Sequence, residues 1–387
     1  MHFTSAFLAL TAAVLPFVSA APAITTAARA KRADSDLLVF KFADLLEQLE
    51  SAFYEQALGK FKDADFVAAG FTNPTIPIEQ FLAIQKDEAT HSVVLQAALK
   101  SFGAQPITNC KFKFDSALTD VATMAATARV VENVGVTAYL GGATLLTDPV
   151  LLTAAGSILT VEARHSTILN VLSSTGTAVP SPFDFAFTPS EVLALAGGFI
   201  DGPCETGIPA NVALAVTNTG GIGPGTKLTF DSTAFAGKDT STFFCQMLVG
   251  GLGTALPFPF NECVVPSDLN GPVAIFITSD GQPLVNNVRD RDTVKQVAGP
   301  ALAFIDTVPQ SIGALARTNL GAPVLKTSTT TITPEQASTI LSSASSTASA
   351  PAPTSTGGAA ALSATANQTT GPSKDAAINV LGWSNTA

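Results

Sequence analysis

The spacing of hydrophobic and polar positions changes character near residue 204. Upstream, apolar residues recur at helical spacing in four long segments. The first covers residues 36–58 and is closed by Gly59; the second covers 78–102 and is stopped by Gly103. A loop with Gly70, Pro74 and Pro77 separates them. The third spans 116–146, and Asp148-Pro149 turns the chain into the fourth, 150–172. Segments of this length suit a four-helix bundle. Thr188-Pro189-Ser190-Glu191 reads as a capping box with proline at the first helical position, and predicts a shorter fifth helix ending before Gly202.

Downstream, short alternating runs replace the helical period: residues 212–216, 227–230 and 273–278. Gly, Pro, Asn and Asp separate them, as in Gly220 to Gly225 and Ser279-Asp280-Gly281. This predicts a small all-β, sandwich-like domain over 205–325. The expected fold class is α+β, multidomain: a bundle over 33–204, the β domain, and a tail. From Lys326 to Ala387 Ser, Thr, Ala, Pro and Gly dominate, and such a segment buries too little apolar surface to fold. Asn367-Gln368-Thr369 is its N-glycosylation sequon.

Composition sharpens this picture. Hydrophobic residues reach 47% and charged residues only 13%, about half the usual share of ~25%, which raises the question of membrane spans. Neither long apolar stretch behaves as one. Arg129, Glu132, Asp148 and Pro149 interrupt 121–161, and 240–261 carries scattered glycines, two prolines and a cysteine. The apolar run 6–18 followed by Val18-Ser19-Ala20 reads as a signal peptide over 1–20, and Lys31-Arg32 as the dibasic end of a pro-segment over 21–32. The final residues, 376–387, are too short and polar for the tail of a GPI signal. An exported chain with Cys110, Cys204, Cys245 and Cys263 is expected to form two disulfides, with three possible connectivities. Pairing within domains, Cys110–Cys204 and Cys245–Cys263, is the expected one. The net charge of −10 argues against nucleic acid as a partner.

Candidate chemistry rests on few residues. His91 and His165 are the histidines beyond the leader, and each closes a Glu-x-x-His: Glu88-Ala89-Thr90-His91 in the second helix and Glu162-Ala163-Arg164-His165 in the fourth. Three-residue spacing puts Glu and His on one helical face, within reach of one metal ion. The first and third helices carry Glu47…Tyr54 and Glu132…Tyr139, seven apart in both, with the chain's two tyrosines. The pattern Glu…Tyr then Glu-x-x-His therefore occurs twice. Its two copies are spaced unequally, Glu47 to Glu88 by 41 positions and Glu132 to Glu162 by 30, and residues 59–77 absorb the excess. Glu132 lies in an otherwise apolar helix, where a carboxylate without a partner is costly. A metal cation supplies that partner. Glu50, one turn from Glu47, is the alternative ligand; the repeat sets Gly135 opposite Glu50, which favours Glu47. Tyr54 and Tyr139 read either as donors to ligand carboxylates or as packing.

The arrangement resembles the ferritin-like di-metal carboxylate proteins, in which two helices give one Glu each and two give Glu-x-x-His. Segments 49–54, 158–165 and Pro182-Phe183-Asp184 resemble the secreted ferritin-like family of filamentous fungi, which includes late-sexual-development and desiccation- or stress-related proteins. The resemblance implies a bundle binding two metal ions, and a donor set of this kind suits iron or manganese. Two functional readings stay open. One is a secreted or cell-wall-associated oxidoreductase that handles oxygen, peroxide or reactive species, with a wall polymer or protein partner held by the β domain. The other is a structural, stress-protective wall protein without catalysis. A storage cage is disfavoured, because a β domain and tail on every subunit fit poorly around a closed shell.

Overall fold

The computed structural model describes residues 34–317, apart from 174, 175, 203, 205 and 309, together with the backbone of 371–372 and 379–380. The expected signal peptide and pro-segment lie outside the described residues, as do Asn367 and the rest of the tail except those two short stretches. The chain divides into two compact units, Met1–Ser346 and Thr347–Ala387.

Seven α-helices lie in the first unit among the described residues: α1 (Asp34–Lys60), α2 (Asp63–Ala68), α3 (Thr75–Ser101), α4 (Val121–Ala143), α5 (Pro149–Leu172), α6 (Pro189–Ala196) and α7 (Ser311–Ala316). Helices α1, α3, α4 and α5 are the bundle. α1 packs on α3, and α4 on α5. The helix starts follow local chemistry. Asp120 caps α4 by accepting from Thr123 N at 2.8 Å, and this sets the start five residues later than the apolar pattern predicts. Asp148 accepts from Val150 N and Leu151 N, with Pro149 at the first helical position of α5. Thr188 and Glu191 form the expected capping box of α6. α1 runs past Gly59, where the sequence pattern predicts its end, to Lys60, and the long loop that follows holds α2, whose Phe66 is buried against Phe71 and Phe81.

The strands are β1 (Lys111–Phe112), β2 (Ile200–Asp201), β3 (Ala215–Val216), β4 (Phe230–Asp231), β5 (Phe244–Leu248), β6 (Leu256–Pro259), β7 (Gly271–Thr278) and β8 (Gln296–Ile305), with β9 (Gly371–Pro372) and β10 (Asn379–Val380) paired in the second unit. One antiparallel sheet, ordered β6-β5-β7-β8, forms the core of the β region. β7 is buried along its whole length and sorts its side chains by period two. Ala274 and Phe276 join the bundle core with Phe53, Met124 and Phe187. Val273, Ile275 and Ile277 face a second core with Met247, Leu228 and Leu214. The second layer is the short β3–β4 ribbon with irregular chain around it.

Polar contacts tie the sheet to the helices. Arg129 on α4 grips Asp306 with both terminal nitrogens, at 2.8 and 2.7 Å, donates from Nε to Asn170, and lies over the Phe304 ring. Arg291 meets Glu191 on α6 at 2.6 Å with both side chains buried. Gly141 on α4 lets the backbone of Phe187 approach so closely that a Cβ would sit 1.8 Å from its carbonyl oxygen. The disulfides are Cys110–Cys204, beside the β1–β2 pairing, and Cys245–Cys263, from β5 to the chain after β6. Crosslinks of this kind typically contribute about 2–4 kcal/mol. Among the described residues no helix is long and apolar enough to cross a membrane.

Candidate metal centre

The bundle brings the six predicted side chains together. Glu47 comes from α1, Glu88 and His91 from α3, Glu132 from α4, and Glu162 and His165 from α5. All four glutamates are fully buried, His165 is buried, and the His91 side chain is 13% exposed. Two overlapping groups result: Glu47, Glu88, His91 and Glu162; and Glu88, Glu132, Glu162 and His165. In each, one ligand atom per residue lies within 4.8 Å of every other. Glu88 and Glu162 belong to both groups, which puts them between the halves.

His91 Nδ1 lies 3.1 Å from Glu47 Oε2, 3.0 Å from Glu88 Oε2 and 3.5 Å from Glu162 Oε1. His165 Nδ1 lies 2.7 Å from Glu88 Oε1 and 3.1 Å from Glu132 Oε2. The tyrosines exchange partners across the antiparallel repeat. Tyr54 on α1 donates to Glu132 on α4 at 2.7 Å, while Tyr139 on α4 donates to Glu47 on α1. The seven-residue Glu–Tyr spacing, two helical turns, is what aligns both exchanges.

Glu50 is also buried, yet it joins neither group. Gly135 explains how so many carboxylates fit. A Cβ at Gly135 would lie 2.5 Å from Glu162 Oε2 and 3.2 Å from Glu50 Oε1, so the missing side chain is the space both carboxylates use. Arg129 is committed to Asp306 and Asn170, and Arg164 is exposed.

Asp87 did not stand out in the sequence. It approaches Nε2 of His165 at 3.3 Å from the solvent side and so directs Nδ1 of that ring toward the carboxylates. Its signal was its place immediately before Glu88, where the second repeat has Val161. His91 therefore lacks the matching acid, and the two halves differ.

Five buried carboxylates face two imidazoles, and the electrostatics follow. Burial raises Glu47 to about 8 despite the hydrogen bond from His91. Burial and neighbouring glutamates raise Glu50, Glu132 and Glu162. Burial opposes charge on Glu88 as well, but hydrogen bonds from His165 and His91 outweigh it and hold the group at about 2. The same carboxylates overcome burial at the histidines, pushing His91 to about 10 and His165 to about 11. Burial and neighbouring carboxylates raise both tyrosines, which stay protonated donors.

The donor set tests well against a metal pair. Both oxygens of Glu162 are buried without a hydrogen-bond partner among the described residues, a costly state for a carboxylate that a cation relieves. Oxygen-rich sites with imidazole suit iron or manganese. A family model described as a ferritin-like domain matches residues 35–175, so this part of the chain has the fold that carries di-metal carboxylate sites. No curated protein matches the chain.

Proposed function

We propose that the bundle holds two iron or manganese ions, with Glu47, Glu88 and His91 as ligands on one side, Glu132, Glu162 and His165 on the other, and the chain exported. The observation that carries this reading is the buried Glu162 carboxylate, which has no hydrogen-bond partner among the described residues and meets only His91 at 3.5 Å where both ligand groups overlap. Tyr54 and Tyr139 orient Glu132 and Glu47 through their hydroxyls, and Asp87 orients His165. Glu50, which shares with Glu162 the space left by Gly135, is the alternative ligand.

A pair of redox-active ions would supply one-electron steps for reaction with dioxygen or peroxide. The chain's own residues support such use. The four glutamates are shut off from solvent, and His91 with Asp87 marks the side where the site reaches the surface. The two disulfides and the absence of a membrane-length helix among the described residues are compatible with secretion.

Elemental analysis of the full chain, purified from a secretory host, tests the binding. Two iron or manganese ions per chain are expected, and Glu132→Gln, which keeps shape and removes a charge, should lower occupancy while the fold persists. Unchanged metal content in that variant would defeat the ligand assignment. A metal-loaded protein inert toward peroxide and oxygen would instead favour the stress-protective, non-catalytic reading.

A further inference from the structure

A cavity of about 160 Å³ lies between the helices and the sheet. Asn133 of α4, Ser166 and Asn170 of α5, Pro180 and Asp184 of the following segment, and Phe304 of β8 line it. Asn133 and Ser166 are sequence neighbours of Glu132 and His165, but one residue along a helix turns the side chain by about 100°. The cavity thus opens on a different face of α4 and α5 from the metal centre.

Its lining has unmet hydrogen-bonding capacity. Asn133 is only 5% exposed, and its Oδ1 has no partner among the described residues. The buried Oγ of Ser166 has none either. The space is about ten times what one water needs, so it takes a molecule with on the order of ten non-hydrogen atoms. Charge narrows the class. Arg129, the cation in the wall, is engaged by Asp306 and Asn170, which leaves no unmatched cation to attract an anion. Asp184 is exposed as a residue, yet partial burial raises its carboxyl above the usual range, and the Asn133 and Ser166 side chains are neutral. An ammonium group set on Asn133 and Ser166 would meet only neutral dipoles. A hydroxyl donates and accepts at once, so it serves both Asn133 Oδ1 and Ser166 Oγ. Pro180 and Phe304 offer apolar surface to C–H groups.

We infer that this cavity binds a small neutral polyhydroxy compound, with hydroxyls on Asn133 and Ser166 and its other end toward Asp184. Titration calorimetry of the full, disulfide-intact chain with glycerol, D-glucose and ethanolamine tests it. Saturable binding of glycerol or glucose is expected, together with a rise in Tm. Asn133→Leu should weaken that binding at least tenfold without lowering the ligand-free Tm, and Ser166→Ala should weaken it severalfold. Absence of saturable polyol binding, as for a cavity that holds only water, would overturn the inference. So would unchanged affinity in both variants, or tighter binding of ethanolamine than of either polyol. The titration repeated after chelation should give the same affinity. Loss of binding there would assign the polyol to the metal centre and defeat this placement, whereas failure of the metal reading itself leaves the cavity's affinity intact.

Discussion

The two helix pairs carry one sequence pattern, but α3 of the first pair lies open on one face while α4 of the second is covered on most sides. In α3 only 7 of 27 residues are buried, and its outer face reaches solvent with Val93 and Val94 well exposed. In α4, 14 of 23 are buried, because α1 covers one side while the Phe187 segment, Asp306 and Phe304 cover others. Matched helix for helix the difference is smaller: 13 of 27 residues are buried in α1 against 14 of 23 in α4, and 7 of 27 in α3 against 9 of 24 in α5. The low charge content of α4 goes with the chain packed around it, and none of the described helices is long and apolar enough to cross a membrane.

The largest way to break this comparison is to remove the clamp. Arg129→Met deletes a buried bidentate ion pair and should destabilise the protein by about 3–5 kcal/mol, a fall in Tm on the order of 10 °C by calorimetry. A loss under about 1 kcal/mol would show that the sheet is not what holds α4.

Glycines give the next effect, with opposite signs in the two pairs. Gly141→Ala drives a Cβ into the Phe187 carbonyl and should cost about 1–3 kcal/mol. Gly59→Ala in α1 meets nothing within 4 Å and should stabilise by up to about 1 kcal/mol through helix propensity. Urea denaturation of the two variants checks both signs.

The metal centre joins the pairs, and pH reads that junction. Without metal, His91 and His165 keep protons to about 10 and about 11, and Glu47 to about 8. The native cluster then binds more protons than the unfolded chain between about pH 5 and 8, so stability falls as pH rises through that window. Glu88, held at about 2, works in the other sense, but only below the ordinary glutamate range. Metal displaces the protons and should reverse the slope. Melting curves across that window, with and without chelator, should show opposite trends; parallel trends would count against metal at these side chains.

The smallest effect sharpens the contrast from the outside. Val93→Lys on the open face of α3 should change stability by no more than about 0.5 kcal/mol.

Much of this was legible in the linear chain because it is local. Helical period, the turn at Asp148-Pro149, the cap at Thr188 and the Glu-x-x-His spacing depend on a turn or two of backbone, and they name the face on which Glu88 and His91 lie. The reciprocal Glu–Tyr spacing even implied that α1 and α4 match. Beyond that reach the signal faded. Residues 244–248 read only as part of a charge-free run, since a strand buried on both faces loses its alternation, and they became β5 by pairing with β6 and β7. Which carboxylate each tyrosine serves, why Gly135 must lack a side chain, that Asp87 backs His165, and that Asn133 and Ser166 share a cavity with Phe304 were decided in three dimensions. Spacing fixes which side chains share a helical face. Which faces then meet depends on contacts between residues far apart in the chain, formed only when the sheet closes over α4 and α5.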